Sequence, residues 1–145
     1  MSIRAVIDTN IWISAILNPF GFPAKLRTSF ANGLFQTVIS EPMLFELAAV
    51  LSRPRIRDKY SISTDDIKEL MELVDERSEH VFLAGDVAVC RDADDNMVIE
   101  TAIKGQVAYL VTRDDDIKHD KKVSDLLSQH EVSVTTIAKF LSILK

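Results

Sequence analysis

Four carboxylates, Asp8, Glu46, Asp95 and Asp114, stand at places along the chain where a carboxylate can do chemistry. Asp8 follows the apolar run Ile3–Ile7 directly, and Asp114 lies two residues past a second apolar run, Ala108–Thr112. Asp95 begins a helical stretch, where its charge suits the positive end of the helix dipole. Glu46 falls mid-helix, three residues after Met43 and four before Val50, at the edge of an inward-facing apolar stripe. Carboxylates gathered at one site raise each other's pKa and resist ionising unless a cation neutralises them. Oxygen-only ligands without His or Cys suit Mg²⁺ or Mn²⁺ better than Zn²⁺. Such an ion acidifies a bound water and steadies the charge on a phosphoryl group, so phosphodiester hydrolysis is the reaction class this pattern suggests.

Convergence of the acids depends on the elements that carry them. Ile3–Ile7, Gln36–Ile39, His80–Leu83, Val87–Cys90, Ala108–Thr112 and Val132–Thr135 read as strands, rich in branched residues and bounded by turn formers. Helical spacing runs from Ile11 to Leu17 and over Ala24–Ala31. Ser40 is placed to cap a helix with Pro42 in its first turn, whose apolar stripe carries it to Pro54. Ser63-Thr64-Asp65-Asp66 opens a helix with Ile67, Leu70, Met71 and Val74 on one face. The Asp95 helix stops at Gly105, and Val123–Ser128 and Ile137–Leu144 supply two more. Strands alternating with helices predict an α/β domain with a mostly parallel sheet and helices on both faces. In such sheets the functional crevice lies beyond the carboxyl ends of the strands, where Asp8 and Asp114 fall.

Composition narrows the class. At 145 residues, with 47% hydrophobic and 27% charged, the chain fits one globular domain spanning 1–145. Lys+Arg 17 against Asp+Glu 22 leaves a net charge of −5, which excludes a generally basic nucleic-acid coat but not a local basic patch. A single cysteine, Cys90, forms no internal disulfide, so a reducing, cytoplasmic setting is expected. The apolar runs are strand-sized and the N-terminus carries charge early, so no membrane or signal segment is expected.

Read in order, Asp8-Thr9-Asn10 after an apolar strand, Glu46 on a helix, Asp95 within Arg91-Asp92-Ala93-Asp94-Asp95-Asn96, and Thr112-Arg113-Asp114 after a strand resemble the motifs of the PIN-domain nucleases. The match covers essentially the whole chain and is most similar to the VapC-like toxins of toxin–antitoxin pairs. The resemblance implies a three-layer α/β/α sandwich with a central parallel sheet and a Mg²⁺- or Mn²⁺-dependent ribonuclease site. It further implies a frequent homodimer and, for toxins, a small antitoxin. Carried over, Asp8, Glu46, Asp95 and Asp114 are the metal-holding tetrad, supported by Asn10 and Thr112. The third motif also offers Asp92 and Asp94; Asp95 is preferred because it begins the helix, with Asp92 second. In the fourth, Asp116 shares or replaces the role of Asp114, and Asp115 stands between them.

Other features have two readings each. Asp8 and Asp95 also suit helix caps or turns, and Glu46 an ordinary exposed helix position, although the ordered motifs favour the functional reading for all three. Arg53, Arg55, Arg57 and Lys59 offer an RNA-backbone contact, or a charged helix end followed by a solvated loop. Trp12, Phe20, Phe22, Phe30 and Phe35 suit core or dimer packing better than base stacking. His80, His119 and His130 lack metal-ligand spacing and read as surface or structural. Two rivals remain beside a ribonuclease. One is a metal-dependent phosphatase or 5′-nuclease, although Asn10 stands where a haloacid-dehalogenase-type phosphatase needs its second Asp. The other is a silent binding module whose acids hold an ion or face a basic partner.

Overall fold

Arg4–Ile7 (β1) is four residues whose last three are buried, the pattern of a central strand covered on both faces. It is the middle of a sheet whose strands all run parallel. The computed structural model describes residues 3–88 and 93–144, the side chains of residues 93, 94, 115 and 116 excepted. Among the described residues the other strands are Gln36–Ser40 (β2), Glu79–Val81 (β3), Tyr109–Val111 (β4) and Ser133–Thr135 (β5), in the order β3-β2-β1-β4-β5. Thr9–Leu17 (α1) and Phe22–Ala31 (α2) join β1 to β2. Glu41–Leu51 (α3), Pro54–Tyr60 (α4) and Thr64–Arg77 (α5) join β2 to β3. Ala93–Lys104 (α6) leads to β4, Asp115–His119 (α7) and Lys121–Gln129 (α8) to β5, and Ile137–Ile143 (α9) follows.

Strand order fixes the layers. The chain steps from β1 through β2 to β3 on one side, then returns to the far side of β1 for β4 and β5. With right-handed crossovers this puts α1 to α5 on one face and α6 to α8 on the other. The packing agrees: α1 lies against α2 and α3, α3 against α5, and α6 against α8. The result is the expected α/β sandwich, its sheet parallel throughout. The reversal makes the β1–β4 boundary a topological switch point, and the crevice belongs above it. Trp12, Phe30, Phe35 and Phe140 stack through the core at centroid spacings of 5.3, 5.6 and 5.0 Å. Of the five grouped aromatics, Trp12, Phe30 and Phe35 are thus core, whereas Phe20 and Phe22 are exposed.

Several local expectations change. Ser40 occupies the N-cap position of α3 without capping it; its buried hydroxyl is hydrogen-bonded to Thr101 Oγ1 at 2.8 Å instead. The α3 helix ends at Leu51, and the basic stretch, for which one expectation is a helix end followed by a loop, is largely a helix of its own, α4. Pro54 explains this, because a proline that stops one helix is well suited to the first turn of the next. Gly105 does follow α6, for a steric reason: a Cβ there would lie 2.5 Å from Val38 Cγ1. The left-handed turn falls one residue later, at Gln106 with φ 51°. Val87 and Ala88 are outside any strand, and Val89 and Cys90 lie outside the described residues. Among the described residues no helix is long and apolar enough to cross a membrane.

Candidate active site

Pairing of β1 with β4 places Ile7 beside Val111, so the residues that follow each strand emerge together. The ladder continues one step past the strands, with the Asp8 N–H donating to the Val111 carbonyl at 3.0 Å. On the next strand over, the Thr112 N–H donates to the Thr135 carbonyl at 3.2 Å. Asp8 and Thr112 therefore sit side by side on rigid backbone although 104 residues separate them. Thr112, fully buried, donates its hydroxyl proton to Asp8 Oδ2 at 2.7 Å and accepts from the Asp114 N–H at 3.0 Å. Its one proton is thereby committed to Asp8.

Across the sheet end, α3 brings Glu46 to the same cluster. Thr9 Oγ1 lies 3.3 Å from Glu46 Oε1 and 3.4 Å from Asp8 Oδ1. A hydroxyl has one proton, so it can donate to only one of these two carboxylates at a time. Thr9 is fixed because it opens α1 and is itself buried.

Asp8 is 6% exposed, and its pKa is raised above the usual carboxylate value, first by burial and further by the charge of Asp114. The Thr112 hydroxyl, the Asn10 backbone N–H and the Thr9 hydroxyl oppose the rise without cancelling it. Asp8 stands at the N-cap position of α1, yet its side chain closes no capping hydrogen bond. No cation pairs with it among the described residues. An open depression beside it is lined by Asp8, Asn10, Ile13, Ser14, Arg113 and Asp114.

Asn10 is exposed on the rim of that depression. Asp95 is half-buried in the first turn of α6, which packs on β1, β2 and α3, the elements that carry Asp8 and Glu46. Asp92 lies outside the described residues, and Asp94, Asp115 and Asp116 are placed by backbone alone. Among the described residues no three His, Cys, Asp or Glu side chains gather closely enough to hold a metal ion. The donor chemistry nonetheless fits a hard divalent cation: every side chain of the cluster offers oxygen, and a buried carboxylate without a cationic partner is a group that a metal neutralises. Arg53, Arg55, Arg57 and Lys59 fall on and just before α4. Arg57 bonds Thr64 Oγ1 at 2.6 Å, and Lys59 lies over the Tyr60 ring. His80 bonds the Asp75 carbonyl at 2.9 Å and is exposed, as are His119 and His130.

Sequence reasoning missed Thr9, Ser14 and Arg113. Thr9 and Arg113 lie inside the two motifs that were read, but which side chain turns inward follows only from the β1–β4 register.

A family model described as PIN domain matches residues 4–116. The chain is also similar to an uncharacterized protein of Methanocaldococcus jannaschii, 31% identical over 117 residues, which cover 81% of this chain and 74% of the relative. No solved structure matches.

Proposed function

This chain belongs to the PIN-domain family, a family of nucleases, and from that premise we propose that it is a Mg²⁺- or Mn²⁺-dependent endoribonuclease. The observation that carries the reading is the buried Asp8 carboxylate. Its ionisation is opposed by burial and by Asp114, and no cation among the described residues balances it. A site of that kind favours a divalent ion over a proton once the ion is present at working pH.

Asp8, Glu46, Asp95 and Asp114 would hold the ion, with Asp92 and Asp116 as the alternatives their motifs offer. Bound there, a divalent ion supplies an acidified water and a counter-charge for the phosphoryl oxygens. Thr112 orients Asp8 through its 2.7 Å hydrogen bond, and the Thr9 hydroxyl lies between the facing oxygens of Asp8 and Glu46, donating to one of them at a time. Their part is to fix the carboxylates before substrate arrives. The toxin role, an antitoxin partner and a homodimer belong to this proposal on the motif resemblance to VapC-like proteins, and a cytoplasmic setting on the single cysteine, Cys90; a basic antitoxin segment suits a chain of net charge −5. The cations Arg53, Arg55, Arg57 and Lys59 belong to the proposal only as a weak contact to the RNA backbone.

The test is cleavage of end-labelled RNA by wild type and Asp8→Asn in Mg²⁺, Mn²⁺ or EDTA. Cutting that needs metal and falls in the variant by more than the roughly 10–100-fold that outer-shell changes cost supports the proposal. Wild-type cutting by folded Asp8→Asn overturns it. Metal binding without turnover on RNA or on a phosphomonoester favours a silent acidic-cleft module.

A further inference from the structure

The depression beside Asp8 holds one cation among its lining residues, Arg113, and that cation is not used as a counter-charge. Arg113 follows Thr112 and precedes Asp114, with Asp8 in the same depression, so two carboxylates are at hand. A guanidinium in that position ordinarily closes on a carboxylate with two parallel hydrogen bonds. Here Arg113 Nη2 donates to the neutral hydroxyl of Ser14, and no carboxylate among the described residues forms an ion pair with it. Ser14 is on α1, one helical turn after Asn10, so the arginine bridges from the end of β4 to a rigid helix along the depression.

Of the five N–H groups on a guanidinium, one is spent on Ser14, and the rest remain for an acceptor from outside. The side chain is exposed, and a guanidinium offers an anion a planar fork of donors. A cation held in an acidic cleft, but not consumed by the acids, suits a diffusible anion. Its charge excludes a metal ion at the same spot. We propose that Arg113, pinned by Ser14, binds a backbone phosphate of the single-stranded RNA substrate next to the phosphodiester that is cut. The inference rests on the nuclease reading above and adds the residue that aligns the strand with the acids. Asp8, Asp114 and their neighbours repel a polyanion, and a phosphate seated on Arg113 offsets part of that repulsion where it is largest.

The experiment follows binding of a short fluorescein-labelled single-stranded RNA by anisotropy in EDTA over a series of salt concentrations, and its cleavage in Mn²⁺. Arg113→Gln should weaken binding about tenfold, the low end of what a charge-assisted hydrogen bond is worth at an exposed site. It should also reduce the slope of log K against log salt by about 0.7, the value for one phosphate contact on a single strand. Arg113→Lys keeps the charge and the salt slope but loses the fork, so it should fall between the two in affinity. Ser14→Ala should weaken binding a few-fold with the slope unchanged, because it frees the side chain without removing charge. Lys68→Gln, an equal charge change on the exposed face of α5, should alter neither. If Arg113→Gln misfolds, Arg113→Lys decides: wild-type affinity in that variant denies any forked contact. Arg113→Gln with wild-type affinity and slope, beside a wild type that binds and cuts RNA, overturns the inference and leaves the nuclease reading intact. A wild type that neither binds nor cuts RNA removes the reading itself, and the inference with it.

Discussion

Thr112 is the residue on which the geometry of the acid cluster turns, and replacing it with valine isolates its hydroxyl. Valine keeps the branched shape, so the fully buried site stays filled and no cavity term enters. Two hydrogen bonds disappear. The first, to Asp8 Oδ2 at 2.7 Å, involves a carboxylate that is 6% exposed, and a bond to a charged group contributes about 1.5–3 kcal/mol. The second frees the Asp114 N–H, which is only half-buried and can turn to water, so it adds at most about 1 kcal/mol. The extra buried methyl returns about 0.8 kcal/mol. The expected net loss is roughly 0.7–3 kcal/mol.

Thermal unfolding in EDTA at neutral pH reads this loss directly. A chain of this size falls between the domain sizes for which 1 kcal/mol moves Tm by about 4–8 °C and about 2–4 °C, so Tm should drop by roughly 3–12 °C. Thr112→Ser keeps both bonds and loses a methyl, about 1 kcal/mol, and serves as the comparison. The two variants should separate more sharply in their pH–rate profiles with Mn²⁺. The Thr112 hydroxyl holds the Asp8 pKa down against burial; without it the pKa climbs further, and protons compete with metal to higher pH. The acid limb of the profile should shift upward in Thr112→Val and stay in place in Thr112→Ser. Equal stability and superimposable profiles for the two variants would refute the idea that this hydroxyl orients Asp8.

Two further outcomes follow from the same contacts. Asp8 has a folded-state pKa above its unfolded value, so the native state binds its proton more tightly; the stability this contributes is present at low pH and lost as pH rises through the folded pKa. Metal-free Asp8→Asn should therefore match or exceed wild type in Tm at neutral pH, with the gap closing on acidification. Saturating Mn²⁺ should raise the wild-type Tm and leave the variant nearly unmoved. A second variant tests the packing of α6 on the sheet: Gly105→Ala pushes a Cβ to 2.5 Å from Val38 Cγ1, in a strand that cannot yield freely. Denaturant unfolding should show a loss of about 1–3 kcal/mol, and an unchanged midpoint would mean that α6 and β2 are less tightly coupled than their contact indicates.

Much of the architecture was legible because its signals are local. The apolar runs that end abruptly in acid became β1 and β4, and the Ser63 capping box starts α5 as its spacing required, with Asp66 N–H bonding Ser63 Oγ at 3.0 Å. Less legible were features set by residues far apart. Nothing in Glu100 itself marks it as the buried carboxylate that binds the Ala84 and Gly85 N–H groups. Ser40 has the residue type of a cap but spends its hydroxyl on Thr101, sixty-one residues away. Thr9 and Arg113 were inside the motifs already read. Their roles appear only when β1 and β4 are paired in register.

The sign of one perturbation separates a functional acid cluster from an ordinary one. An aspartate at the N-cap of a helix, in its structural role, accepts backbone N–H groups and meets the positive end of the dipole; both effects favour the charged form and lower its pKa. Asp8 occupies that position at the start of α1, and the Asn10 N–H does act on it in that sense, yet no capping hydrogen bond closes and burial, with Asp114, drives the pKa up on balance. Its one short hydrogen bond runs to Thr112 rather than into α1, and its other oxygen shares the Thr9 hydroxyl with Glu46. A fold selected for stability alone would gain by turning this carboxylate onto the helix or by replacing it with a neutral residue. Retaining a buried, like-charged and uncompensated carboxylate at the topological switch point costs stability in the free protein. The cost is explained if an ion neutralises it in the working state, since the repulsion that opposes ionisation without metal is what gives the cluster its affinity for one.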